Sequence, residues 1–251
     1  MQDLDAVIDM SLEPRRINPT GCIRWLKDAW MLFSVHGLTW STMFWLMFLM
    51  VLFCMFIPLL GTASSLLNVM LFGGLIASID AARNGKKLEL GGLFVGFKHS
   101  LGELLLTGVL LLAVSISTLF VLFVIMIAIG SPYLLMITKG QLTPELLKSP
   151  EIAAGVLAVM LTCGLVVQLV NSAFMYAPML VVLRRFKAMD AMKLSVVACC
   201  RNILPFSLLA LICLPVLLLV PLTFGLALLV LMPFAALVSY TSFIDIFGEG
   251  N

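Results

Sequence analysis

Of the chain's 251 residues 62% are hydrophobic and 11% charged, against about 25% charged in an average soluble domain, which leaves too little charge to solvate a globule of this size. The formal net charge of +2 comes from cations spread in short groups rather than gathered into a basic domain, so nucleic acid drops out as a partner. The composition fits a chain that is solvated by lipid.

Residues 1–20 carry Asp3, Asp5, Asp9 and Glu13 and no apolar core, so a flexible cytoplasmic tail without a cleavable signal is expected there. From Ala29 to Ile79 the chain holds no Lys, Arg, Asp or Glu, and the same is true from Asn202 to Ile244. Roughly 20 apolar helical residues cross the hydrocarbon layer, so each tract is long enough to cross twice. Six spanning helices are predicted, at about 37–59, 62–82, 104–129, 152–182, 203–222 and 224–246. Pro58 with Gly61, and Pro221 with Gly225, supply tight turns inside the two long tracts. The fourth helix is longer than a bilayer requires, and Pro178 is the expected bend. The fold class is therefore all-α and polytopic, with six transmembrane helices as three hairpins.

Orientation follows from Lys and Arg, which are retained on the cytoplasmic side. Thirteen of the fifteen lie in the leader and first amphipathic stretch, after the second span, or after the fourth; only Lys139 and Lys148 lie elsewhere. Both termini are expected in the cytoplasm.

Each hairpin is preceded by a cytoplasmic stretch with helical spacing. The first sets Cys22, Leu26, Ala29, Trp30 and Phe33 on one side; the second Leu90, Leu93, Phe94 and Phe97; the third Met189, Met192, Val196 and Cys199. Such stripes are expected to lie as amphipathic helices at the membrane interface. Where each turns into a span, His36-Gly37-Leu38, His99-Ser100-Leu101 and Asn202-Ile203-Leu204 correspond. A single transmembrane domain, 21–251, made of pseudo-repeats at about 21–85, 89–186 and 187–247, is the expected organisation.

Polar residues within spans are the default place to look for function. Gln168, Asn171 and Ser172, with Tyr176 a turn later, form one candidate intramembrane cluster, and Asn68 is their candidate partner. Interhelical hydrogen bonding is the plainer reading of that cluster, a solute path the sharper one. Asp80 and Asp245 stand at cytoplasmic ends of spans and are read as a clamp with Arg83, Lys98, Arg184 or Arg201, in preference to a proton relay. Lys86, Lys87, Arg184 and Arg185 are candidate contacts for anionic lipid headgroups. Trp25, Trp30, Trp40 and Trp45 read as anchors at headgroup level, and Gly73, Gly74, Ala77 and Ser78 as a surface for close helix approach. The six cysteines are spaced for neither disulfides nor zinc and read as small hydrophobes. Two histidines, His36 and His99, make a poor metal site, and His99 with Glu103 is read as a local hydrogen bond. No H-E-x-x-H, G-x-S-x-G or Gly-rich phosphate loop occurs, so no enzyme activity, cofactor or metal is expected.

The run Gly21-Cys22-Ile23-Arg24-Trp25-Leu26-Lys27-Asp28-Ala29-Trp30-Met31-Leu32-Phe33 resembles the G-x-x-W-L-x-x-A-W-x-L-F opening of an uncharacterised family of bacterial six-span inner-membrane proteins, with one residue more between Gly21 and Trp25. Tyr240-Thr241-Ser242-Phe243-Ile244-Asp245-Ile246-Phe247 is similar to that family's closing Y-x-x-Y-x-D-x-F, with Phe243 where Tyr is usual and Ile244 where a basic residue is common. More distantly the chain resembles membrane domains fused to glycerophosphodiester phosphodiesterases. The resemblance implies the bacterial inner membrane and no particular activity. The expected role is a non-enzymatic scaffold or partner subunit of the cell envelope, in contact with membrane lipids and other membrane proteins. The alternative is a small transporter or lipid-translocating protein with a site near Gln168 and Asn171.

Overall fold

The computed structural model describes residues 13–57, 61–86, 88–95, 101–138, 150–217 and 219–248. In chain order these form α1 (Gly21–Met55), α2 (Gly61–Arg83), a 3₁₀ helix (Leu90–Phe94), α3 (Leu101–Thr138), α4 (Pro150–Ala173), α5 (Ala177–Arg184), α6 (Ala188–Arg201), α7 (Ile203–Leu217), α8 (Leu219–Leu222) and α9 (Leu228–Phe247). No strand occurs among the described residues. Six helical stretches are long and apolar enough to cross a membrane: Gly21–Met55, Ser64–Arg83, Leu101–Ile125, Leu161–Arg184, Ile203–Leu222 and Leu228–Phe247. Helix is what lipid demands of a spanning segment, because each backbone N–H and C=O then finds its partner within the segment.

Two compact units divide the chain: Met1–Val109 with Ala173–Asn251, and Leu110–Ser172. In the first, α9 lies along α1, α1 against α2, and α2 against both the 3₁₀ helix and α5. Buried residues of α9 recur at Pro233, Ala236, Leu237, Tyr240, Phe243 and Phe247, one face of a helix. Those of α1 recur at Trp25, Ala29, Trp40, Met43 and Met47. In the second unit Ile116, Leu119, Phe120, Phe123, Leu161, Leu165 and Leu169 are 56–65% exposed. In water such a surface would be costly; in acyl chains it is the expected solvated face.

Three helix breaks punctuate the first unit. His36 leaves helical geometry at φ −137°, ψ 35° inside α1. Asn202, between α6 and α7, does so at φ −116°, ψ 28°. Between α4 and α5 the chain turns at Phe174–Tyr176, and Pro178 follows near the N-terminus of α5. The bend thus falls just ahead of the proline predicted to cause it, because proline removes the bond to the carbonyl four residues back, which is Phe174.

Other expectations shift. Trp25 and Trp40 are 0% and 2% exposed, so they belong to the core; Trp30 is the one with most of its ring outside. The inward side of α6 is Ala188, Ala191, Met192, Ser195 and Ala198, while Met189 is exposed. The described part of the second stretch forms the short 3₁₀ helix, in which Leu93 alone is buried. Gly91 and Gly92 explain its brevity, since glycine weakens a longer α-helix. Phe97, Lys98, His99, the leader acids Asp3, Asp5 and Asp9, and the segment with Lys139 and Lys148 lie outside the described residues.

The small-residue surface of α2 works as expected. A Cβ on Gly74 would collide with the Leu93 carbonyl, and one on Gly73 would come within 3.0 Å of Val182. Ser78 donates to the Gly74 carbonyl at 2.9 Å. Gly85, at φ +76°, then stops α2: its N–H bonds Ala82 and that of Lys86 bonds Ala81, the paired bonds of a Schellman ending.

Substituting Gly74 by Val should lower the detergent-solubilised protein's unfolding midpoint by the equivalent of about 1–3 kcal/mol, the usual cost of overpacking. Gly91→Ala, where an added Cβ meets nothing within 4 Å, should leave the midpoint nearly unchanged.

Candidate functional site

The basic ends of the helices in the first unit are joined by one polar network centred on the last turns of α9. Tyr240 donates its hydroxyl proton to Asp80 Oδ1 of α2 at 2.7 Å. Asp80 also accepts from Asn84 at 3.4 Å, and Arg83 lines the same cleft as Tyr240. Thr241 donates to the Trp25 carbonyl of α1 at 3.0 Å. Ser242 meets the Tyr176 hydroxyl at 2.8 Å. Asp245 accepts two bonds from Arg24, at 2.9 and 2.7 Å, and one from the Trp25 indole at 2.7 Å. The Ile246 carbonyl accepts from Arg15 N–H at 2.9 Å, and the Gly248 carbonyl accepts from Arg184.

These bonds differ in worth. The Arg24 side chain is 59% exposed and Asp245 22%, so water screens the ion pair and its net contribution is small. The Trp25 indole is fully buried, and an indole N–H left unpaired there would cost about 1–3 kcal/mol. The indole bond therefore fixes Asp245 more firmly than its charge partner does.

Beneath the network lie five rings. Trp25 stands 5.4 Å from Phe206; Tyr176 stands 6.2 Å from Phe206, 5.9 Å from Phe243 and 5.7 Å from Phe247. Phe243 and Phe247 are 5.0 Å apart. Tilted and edge-on contacts at these distances add about 0.5–1.5 kcal/mol each beyond burial. Phe243 is fully buried in this cluster, which suits a ring without a hydroxyl.

Side chains also serve the helix breaks. At His36 the Leu32 carbonyl, whose helical donor would be the His36 N–H, accepts from the Trp40 indole at 3.2 Å. At the α4–α5 turn one buried hydroxyl serves both sides: Ser195 donates to the Ala173 carbonyl at 2.9 Å and accepts from Tyr176 N–H at 3.1 Å. At the third break Asn202, fully buried, accepts from Ile17 N–H at 2.8 Å and donates to the carbonyls of Arg15 and Ala198 at 2.9 and 3.0 Å. Glu103 of α3 caps α6 by accepting from Ala188 N–H at 2.8 Å, a favourable seat for a carboxylate at a helix N-terminus.

The residues singled out from the sequence are placed as follows. Asp80 and Asp245 do join helices, through Tyr240, Arg24 and Trp25, partners the sequence did not name. Tyr176 is buried with Ser242, Ser195 and the rings. In the second unit Asn171 accepts from Ser115 at 3.1 Å and donates to the Val167 carbonyl at 3.0 Å, and Ser172 donates to the Gln168 carbonyl. Gln168 and Asn68 are exposed. Of the lipid-contact candidates Lys86 and Arg185 are exposed, Arg184 is half-buried on Gly248, and Lys87 lies outside the described residues. His36, Asp28, Arg83, Trp40, Tyr240 and Ile244 line an open cleft of about 490 Å³ beside the α1 kink. No group of three or more His, Cys, Asp or Glu at metal-holding distance occurs among the described residues.

The roles of Ser195, Ser242 and Thr241 were missed by sequence reasoning, and Glu103, read there with His99, was not foreseen as a cap on α6. Their partners lie on other helices, and no local spacing marks them. No protein-family model, curated protein or solved structure matches the chain.

Ser195→Ala leaves the buried Tyr176 N–H and the part-buried Ala173 carbonyl without this partner and should destabilise by about 1–3 kcal/mol, whereas Ser207→Ala, an exposed back-bond to Ile203, should be near neutral in the same melting assay. Burial, with a smaller push from Cys200, raises the Cys199 thiol to about 12, so its thiolate is scarce at neutral pH and grows about tenfold per pH unit below that value. Iodoacetamide at pH 7.5 should modify exposed Cys200 and spare Cys199, with Cys199 gaining as pH rises; equal labelling of both by peptide mass mapping would contradict this environment.

Proposed function

We propose that the chain is a non-enzymatic integral membrane protein of the bacterial inner membrane, a scaffold or partner subunit whose six spans form three hairpins with both termini in the cytoplasm. The observation that carries this reading is the network around α9. Its acids, hydroxyls and indoles are engaged with other helices, so its chemistry is that of holding helices together. Strong side-chain groups used in this way fix a bundle rather than turn over a substrate.

The orientation draws support from the same network. Arg15, Arg24, Arg83, Arg184 and Arg201 belong to segments that it ties together, as a shared cytoplasmic face requires. The threefold repeat draws support from His36 and Asn202, which correspond in the sequence and share similar non-helical torsions. Exposed Lys86 and Arg185 suit contact with anionic headgroups. The broad apolar surface of Leu110–Ser172 suits lipid or another membrane protein.

Mild-detergent purification of the tagged protein after in-membrane crosslinking should return a companion protein in fixed ratio. A clean monomer with no companion overturns the scaffold reading, and solute flux in vesicles that falls on Gln168→Leu or Asn171→Leu replaces it with transport. Reporter fusions should place residue 1 and residue 251 in the cytoplasm and a reporter inserted between Lys139 and Lys148 outside it.

A further inference from the structure

Residues 13–20 form a strap across the α6–α7 junction. Arg15 is held through both its backbone N–H and carbonyl, and Ile17 through its N–H. Between this strap and the junction lies a second open cleft, of about 740 Å³, within the ordinary size range for a ligand site. Arg16 and Arg201 line it, and no acidic side chain does so among the described residues. Arg201 is aimed by a bond to the Pro14 carbonyl at 3.3 Å and pairs with Glu13 at 3.2 Å. That ion pair is exposed on both sides, 44% and 73%, so a competing anion displaces it readily.

The opposite wall is apolar. Ile203 and Leu204, at the head of a spanning stretch, are 65% and 57% exposed. Leu211 and Leu214 continue an exposed stripe down the same face of α7. Two guanidiniums above such a stripe match a molecule with a phosphate at one end and hydrocarbon at the other.

We propose that this cleft binds an anionic phospholipid, with Arg16 and Arg201 on the phosphodiester and the acyl chains along α7. Guanidinium geometry favours phosphate oxygens. Two guanidiniums against the single carboxylate of Glu13, which the phosphodiester displaces from Arg201, leave the cleft with net positive charge, which favours an anionic over a zwitterionic headgroup. A soluble phosphate could use the arginines but would leave the apolar wall unused. The inference rests on the membrane placement proposed above, and it goes beyond Lys86, Arg184 and Arg185, none of which lines the cleft.

Cys200 also lines the cleft and is exposed, which provides a reporter. In nanodiscs, iodoacetamide labelling of Cys200 should slow on the order of tenfold when phosphatidylglycerol is added to phosphatidylcholine, as expected for two basic contacts. Arg16→Gln should restore much of the phosphatidylcholine rate. The strap bonds run through Arg15, Ile17 and Arg201, so this variant leaves them intact; the bilayer's general surface charge also acts on it unchanged. Equal labelling in both lipids, or full protection persisting in R16Q, overturns the site. Protection by inorganic phosphate or deacylated glycerophosphoglycerol equal to that by the lipid overturns the lipid assignment. Flotation of the protein with the discs reports membrane placement separately, so failure of that premise is told apart from failure of the site.

Discussion

A helix that bends inside or beside a bilayer releases backbone groups that lipid cannot bond, and each orphan costs free energy comparable to a lost hydrogen bond. The first unit depends on meeting that constraint three times. Trp40 takes the Leu32 carbonyl at the His36 kink, Ser195 takes both groups at the α4–α5 turn, and Asn202 serves its own break and the strap. With those partners in place the chain can leave one helix direction and begin another. Without them straight helices would be the lower-energy state, and the polar ends would not meet.

Lipid tails are as apolar as leucine, so burying apolar area gives no large driving force between spans. Close approach and directed bonds therefore matter more than in a water-soluble core. The structure uses both. Gly74 lets the Leu93 carbonyl approach α2, and α9 reaches α1, α2 and the head of α5 through successive residues Tyr240, Thr241 and Ser242. Elsewhere hydroxyls such as Thr42, Thr118 and Ser207 fold back on carbonyls of their own helix, which satisfies them without specifying a neighbour.

Legibility in the sequence divides along this line. Charge-free tracts disclosed six apolar helices, because length and hydrophobicity alone decide that. Helix breaks at His36 and Asn202 were visible as correspondences between segments. The stripe Met189, Met192, Val196 and Cys199 did not disclose the packed side of α6, because that side is made largely of Ala188, Ala191, Ser195 and Ala198, whose small side chains carry little hydrophobic signal. Asp80 and Asp245 stood out as acids at span ends, but their partners depend on which helices become neighbours, and one sequence carries no signal for that. Trp25 and Trp40 misled for a related reason: an indole N–H suits the interface, and equally suits a buried acceptor.

Among the described residues, the partners that the Tyr240–Gly248 segment finds on other helices and on the strap precede it along the chain: Arg15, Arg24, Trp25, Asp80, Tyr176 and Arg184 leave the ribosome earlier. Until α9 is inserted, the earlier helices wait with Asp80, Trp25 and Tyr176 lacking these bonds, so the bundle closes only once α9 has entered. Nascent protein stalled upstream of Tyr240 is consequently a species with exposed acids and indoles, open to chaperones and membrane proteases in a way the finished protein is not.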